Sequence, residues 1–157
     1  MAQRFTHRNL PQQLLKARDV LMGHFRPILH HYDLTEQQWR ILRALDEHAQ
    51  LEPRELCAQC QILSSSMVGI LARMEELGLL QRIRVEADQR RVLVSLAPAG
   101  DALIDEMAPL IQLQYQYLEQ ALGGETLDAL SRALAGFIGA QETPVRRVPL
   151  PAQRSPS

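Results

Sequence analysis

A mostly α-helical fold with a small β-hairpin wing is what this sequence predicts, on three observations. Apolar residues recur at helical spacing along most of the 157 residues. Two short helical stretches, about 53–60 and 64–77, are joined only by Gln61-Ile-Leu63, the layout of a helix-turn-helix. Directly after them, strand-like runs at Leu80–Val85 and Arg91–Leu96 flank a polar tip, Glu86-Ala-Asp-Gln-Arg90. A helix-turn-helix followed at once by a charged hairpin is a winged-helix arrangement, here with further helices on both sides.

The elements follow in order. Gln12 to about Tyr32 places Leu14, Leu15, Val20, Leu21, Met22, Phe25, Ile28 and Leu29 at helical spacing, with a kink or break expected near Gly23–Pro27. Thr35 with Gln38 three residues on is a capping box, opening a helix over about 36–47 that points Trp39, Leu42 and Leu45 inward. Pro53 suits the first turn of the next helix. The run Ser64-Ser-Ser66 is expected to cap the helix whose inner face is Met67, Ile70, Leu71, Met74 and Leu77, and Gly78 sits where a left-handed C-cap glycine belongs. In the second strand Val92, Val94 and Leu96 alternate against Leu93 and Ser95. A long helix then fills about 99–122, Gly123-Gly124 stops it, and a last helix over 125–140 carries Leu127, Leu130, Leu134, Phe137 and Ile138.

The first helix and the last two are more apolar than a lone winged helix needs. They are expected to pack together, and against a second copy, as a dimerisation layer. The expected organisation is one domain over residues 1–142, with dimerisation helices at about 12–32 and 99–140 and the winged module at about 35–97. Residues 143–157, with four prolines from Pro144 on, read as a disordered tail.

Composition excludes several classes. With 46% apolar and 22% charged residues the chain suits a globular core. No apolar run approaches the ~18 residues of a membrane span, and Met1-Ala-Gln-Arg-Phe-Thr-His-Arg8 lacks a signal sequence's hydrophobic stretch. Two cysteines fit a reducing cytoplasm, so a cytoplasmic protein is expected. The net charge of −1 conceals a division. Residues 1–48 carry +2, residues 52–95 balance six against six, and residues 101–142 set seven acids against Arg132 alone. Sixteen of the seventeen basic residues are arginine, which suits bidentate contacts to phosphate or base edges but also follows from compositional bias.

Other motifs carry less. Cys57-Ala-Gln-Cys60 lacks the second ligand pair that zinc needs, and it lies at a helix end rather than the helix start of a thioredoxin-like motif. Structural burial is its first reading, with an oxidant-sensing thiol or a thiol–disulfide oxidoreductase as rivals. His24, His30 and His31 form no ligand spacing. No phosphate loop or nucleophile–base pair is present, so the chain reads as a non-enzyme without metal or cofactor.

The order of elements and several strings resemble the MarR family of transcriptional regulators, from about Leu14 to Ile138. The telling strings are Gly78-Leu-Leu80, Asp88-Gln-Arg-Arg91 and Val94-Ser-Leu96-Ala-Pro-Ala-Gly100; Ala97 departs from the usual Thr and removes a helix cap. A closer likeness, to repressors of homoprotocatechuate (4-hydroxyphenylacetate) catabolism, rests on Leu15-Lys-Ala-Arg18, Phe25-Arg-Pro-Ile28, Leu34-Thr-Glu-Gln-Gln-Trp-Arg-Ile41 and Gly69-Ile-Leu-Ala-Arg-Met-Glu75. The resemblance implies a homodimer on a pseudo-palindromic DNA operator, released by a small aromatic carboxylic acid. It implies that Ser64, Ser65, Ser66, Val68, Gly69 and Arg73 face DNA from the reading helix. Arg84, Asp88, Arg90 and Arg91 would do so from the wing, with Arg90 in the minor groove and Asp88 holding an arginine in place. Gly69 stands where many members carry a larger residue, which implies close approach or readout by shape. For the effector, the resemblance points to Arg18, His24, Arg26, Trp39 and Arg40, a guanidinium holding the carboxylate and rings packing on the ligand.

Overall fold

The computed structural model describes residues 4–152. Along it run α1 (Leu10–Gly23), α2 (Arg26–His31), α3 (Glu36–His48), β1 (Gln50–Leu51), α4 (Pro53–Cys60), α5 (Ser64–Glu76), β2 (Leu80–Val85), β3 (Asp88–Leu96), α6 (Pro98–Leu122) and α7 (Gly124–Gly139). The chain is mostly helical, with a small antiparallel sheet in the order β1-β3-β2. There are two compact units, Met1–Gln116 and Tyr117–Ser157, and α6 runs through the boundary between them.

The core of the first unit is built from the helix-turn-helix and its supports. Ile41, Leu42 and Leu45 of α3, Leu56 of α4, Met67, Leu71 and Met74 of α5, Val94 of β3 and Met107 of α6 are fully buried. Local signals set the helices in register for this. Thr35 Oγ1 accepts from the Gln38 amide at 3.1 Å while Gln38 Oε1 accepts from the Thr35 amide at 3.0 Å, closing the expected capping box. Gly78, at φ 73°, supplies the left-handed residue after α5. Gly100 has a different reason: a Cβ there would run into the Leu79 carbonyl, so α6 can start hard against the chain leaving α5 only with glycine.

Several expectations are corrected. Of the kink or break expected near Gly23–Pro27, the break is what forms, at His24–Phe25, and Pro27 falls in the first turn of α2, where its missing N–H costs nothing. The serine run does not cap α5. Leu63 is the N-cap residue and Ser64 is already helical, because buried Ile62 leaves a single extended residue before Met67 must reach the core. Leu77 is not on the inner face; it is the C-cap residue and is 46% exposed. The hairpin tip is shorter than expected: Asp88–Arg90 belong to β3, with a register shift at Arg84/Val85. Ser95 was expected to face away from the core, yet it is buried, because β1, absent from the sequence reading, pairs Gln50 with Ser95 and Leu51 with Val94.

The terminal helices differ. Neither α1 nor α7 buries a residue; Leu15, Val20, Phe137 and Ile138 are all more than half exposed. Residues 144–152 form no regular element. The remainder of the expected tail, residues 153–157, lies outside the described residues.

Candidate nucleic-acid interface and ligand cleft

Helices α4 and α5 meet at 109° across three residues, within the range of helix-turn-helix pairs. Gln61, in the left-handed region at φ 49°, makes the turn, and Ile62 anchors it in the core. This leaves Ser64, Ser65, Ser66, Val68 and Gly69 exposed on the first two turns of α5. Since no serine side chain caps the helix, the hydroxyls are not committed to its end. A Cβ on Gly69 would meet nothing within 4 Å, so packing within the chain does not require glycine there. Arg73 bonds Glu76 at 3.2 Å, an exposed pair that an incoming phosphate can replace at small cost.

On the wing, Arg84 and Arg90 are exposed. Asp88 was expected to hold an arginine side chain. Instead its Oδ1 accepts from the Arg90 backbone N–H at 3.1 Å, fixing the strand start rather than a guanidinium. Arg91 is not turned outward alone: its Nε donates to Glu52 Oε1 at 2.6 Å, tying β3 to the start of α4. The short tip brings Asp88 into the sheet, where its carboxylate holds the Arg90 backbone, while Glu52 takes the Arg91 side chain.

The residues expected at the ligand divide into groups. Arg18 donates to Glu36 Oε2 and Arg26 Nε to Glu36 Oε1, both at 2.7 Å, and Arg26 also bonds Asp19 at 2.7 Å. The Arg26 hydrogen bond first, and that of Arg18 second, hold the Glu36 carboxyl below the usual carboxylate range against its partial burial. Arg40 points elsewhere: its Nη1 donates to the Cys60 carbonyl at 2.6 Å, while its Nε is buried without a partner. His24 is exposed at the end of α1.

Two cavities meet at half-buried Trp39. One, of about 170 Å³, is lined by Leu21, Met22, Phe25, Trp39, Arg43, Ile111 and Tyr115, with the Phe25 and Tyr115 rings 4.8 Å apart. The other, of about 330 Å³, has charged groups in its lining and includes Arg18, Glu36, Trp39, Arg40, Arg43 and Glu47. Arg18, Trp39 and Arg40 are therefore brought together; His24 and Arg26 line neither cavity. Arg43 and Tyr115 escaped the sequence reading. Arg43 follows Trp39 by four residues, one turn on the same face, a signal that was there to use. Tyr115 is a distant residue that only the fold brings in.

Cys57 and Cys60 are free thiols, and burial pushes the Cys60 thiol up, away from the reactive thiolate. Among the described residues, no group of three or more His, Cys, Asp or Glu is placed to hold a metal, and no single helix is long and apolar enough to cross a membrane.

A polar-faced reading helix held across a helix-turn-helix, with an arginine-bearing wing beside it, defines the winged helix-turn-helix class of DNA-binding proteins. The MarR family model matches residues 32–91. The transcriptional regulator FarR of Neisseria gonorrhoeae is 40% identical over 129 residues, covering 82% of this chain and 88% of the relative. The homoprotocatechuate degradative operon repressor of Escherichia coli is 39% identical over 132 residues, covering 84% and 89%. Among solved structures, NadR in complex with 4-hydroxyphenylacetate superposes with a TM-score of 0.77 at 38% identity, over 87% of this chain and 97% of that one. The chain belongs to the MarR family of transcriptional regulators. These relatives are regulators rather than enzymes, which fits the non-enzymatic reading.

Proposed function

We propose that this regulator is a homodimeric repressor of an aromatic-acid catabolic operon, released from a pseudo-palindromic operator by an acid such as 4-hydroxyphenylacetate or 3,4-dihydroxyphenylacetate. One observation carries the reading: a cavity of about 170 Å³ walled by Phe25, Trp39 and Tyr115 with a single arginine, Arg43, on its lining. A cavity of about 150 Å³ holds one benzene ring, so the volume suits one ring. The adjoining cleft, with Arg18 and Arg40, shares Trp39 and Arg43 with it and offers further donors to a carboxylate. A relative named for the homoprotocatechuate operon and a similar structure holding 4-hydroxyphenylacetate support the choice of acid.

In this reading Ser64–Ser66, Val68, Gly69 and Arg73 face the major groove and Arg84 and Arg90 serve the wing. Asp88 and Arg91 act through the shape of the hairpin. Arg26 and His24 are second-rank ligand candidates, since neither lines a cavity. Arg18, the first of the expected ligand cations, yields first place to Arg43, which lines both cavities and is held only by the exposed Glu47 at 3.0 Å, whereas Arg18 is bonded to the more buried Glu36 at 2.7 Å.

The test is a mobility-shift titration on the chain's own promoter with a panel of aromatic acids. Wild type should release DNA with one or two phenolic acetates and not with aliphatic acids. Arg43→Ala should need on the order of tenfold more effector, the loss of a charge-assisted bond, with operator affinity in the absence of effector unchanged. Equal release by Arg43→Ala and wild type would place the carboxylate on Arg18 instead, and indifference of the wild type to every acid would remove the effector reading.

A further inference from the structure

Leu63 stands at the N-cap of α5 with an extended backbone, φ −65° and ψ 142°. Its carbonyl accepts from the Ser66 and Met67 amides, both at 3.0 Å. The residue therefore opens the reading helix, yet its side chain suits the place badly on two counts. Leucine has no oxygen to accept from the first-turn amides, the service for which Ser, Thr, Asp and Asn are favoured at this position. The side chain is also 76% exposed, although Ile62 before it and Met67 after it are buried. Packing explains the position but not the residue. Ile62 and Met67 fix where the helix begins, and a small polar residue at 63 would cap it there. Three serines follow directly, and none of them caps the helix.

Leu63 adjoins the surface described above for DNA. Ser64, Ser65, Ser66, Val68 and Gly69 are exposed on the two turns that follow it, and the space beside Gly69 is open. In a helix-turn-helix the N-terminal residues of the second helix meet base edges in the major groove. The apolar group that a base pair displays there is the thymine 5-methyl, and aliphatic side chains recognise it by contact. Serine hydroxyls can donate or accept, so the polar turn alone discriminates weakly between base pairs. An exposed leucine at the head of that turn supplies what the hydroxyls lack.

We propose that Leu63 is a specificity-determining residue that selects a thymine in each operator half-site by packing on its 5-methyl group. This rests on the reading of α5 as the helix that meets DNA, and it is independent of the effector. Leu63 holds the place of a helix cap and serves operator sequence instead of helix stability.

The experiment is a uracil scan of the fragment of its own promoter that the wild-type chain protects. Each thymine is replaced in turn, at matching places in both half-sites, by uracil, which keeps every hydrogen-bonding group and lacks only the methyl. Affinity is read by fluorescence anisotropy for wild type, Leu63→Ala and Leu63→Ser. In wild type, one such replacement should weaken binding about fourfold per half-site, the worth of one buried methyl. Leu63→Ala should bind the unmodified fragment more weakly by a similar factor and show no penalty at that thymine, while keeping any penalty elsewhere. Leu63→Ser should melt above wild type, because it supplies the missing cap, and still bind more weakly and without the methyl preference. A wild type indifferent to uracil throughout, or a uracil penalty unchanged at every thymine in Leu63→Ala, overturns this inference and leaves α5 as the DNA-contacting helix. A change of oligomeric state in Leu63→Ala does the same, by placing Leu63 in a protein interface. A wild type with no affinity for its promoter overturns both.

Discussion

The helix-turn-helix and the terminal helices of this chain have similar apolar content and opposite fates. In α3, α4 and α5, residues at core spacing reach zero to two per cent exposure, as at Leu42, Leu56 and Met74. In α1 and α7, equally regular apolar positions such as Leu15 and Phe137 stay 62% and 71% exposed. Helical periodicity reports that a face wants burial, not which surface buries it. The winged module satisfies its faces within one chain, while the ends leave theirs available to a second copy. Exposed apolar area on this scale is what a two-fold interface would remove from water.

The comparison is broken most severely from inside the module. Leu42→Ala leaves a void at a site with no exposure, and urea unfolding should show a loss of about 2–5 kcal/mol. Phe137→Ala, made on an open face, should leave the stability of an isolated chain within about 0.5 kcal/mol and show its effect only as a dependence on protein concentration. Equal losses for the two would mean that the end helices are closed by the chain itself.

Next in size is the wing. Arg90 is exposed and its backbone is fixed by Asp88, so Arg90→Ala should weaken operator binding by about 1–3 kcal/mol, read by fluorescence anisotropy, with no change in melting temperature. Unaltered affinity at ~0.15 M salt would make the hairpin an ordinary surface turn.

How far the sequence carried these conclusions varies by element. Thr35 with Gln38 and Gly78 were legible because capping chemistry is local. The strand β1 was not, since two residues, Gln50 and Leu51, carry no period; only their partners Ser95 and Val94 define them. The serine run misled because the cap position depends on where Ile62 is buried, which is tertiary information. At the cleft beside Trp39, the structure brings Arg18, Trp39 and Arg40 together and gives both arginines partners within the chain. Glu36 takes Arg18 and Arg26, the Cys60 carbonyl takes Arg40, and Tyr115 joins from a helix nearly eighty residues away.

The smallest expected effect tests that arginine pair. Glu36 has a folded-state value depressed by Arg26 and Arg18, so its contribution to stability is present above the ordinary carboxyl value and is lost as pH falls through the depressed one. Between about pH 7 and about pH 3, wild type should lose slightly more stability to urea than Glu36→Gln. Parallel losses would mean that the two arginines do not restrain the carboxylate in solution.

Sedimentation equilibrium of the full chain, alone and with operator DNA, bears most directly on the division between a self-sufficient reading module and ends that need a partner. The expected result is a two-chain species at micromolar concentration, and two chains on an operator whose half-sites are centred about 10 bp apart, one turn of the duplex. Phe137→Asp should shift that species towards single chains. A wild-type monomer at micromolar concentration, or one chain bound per operator, would contradict the account.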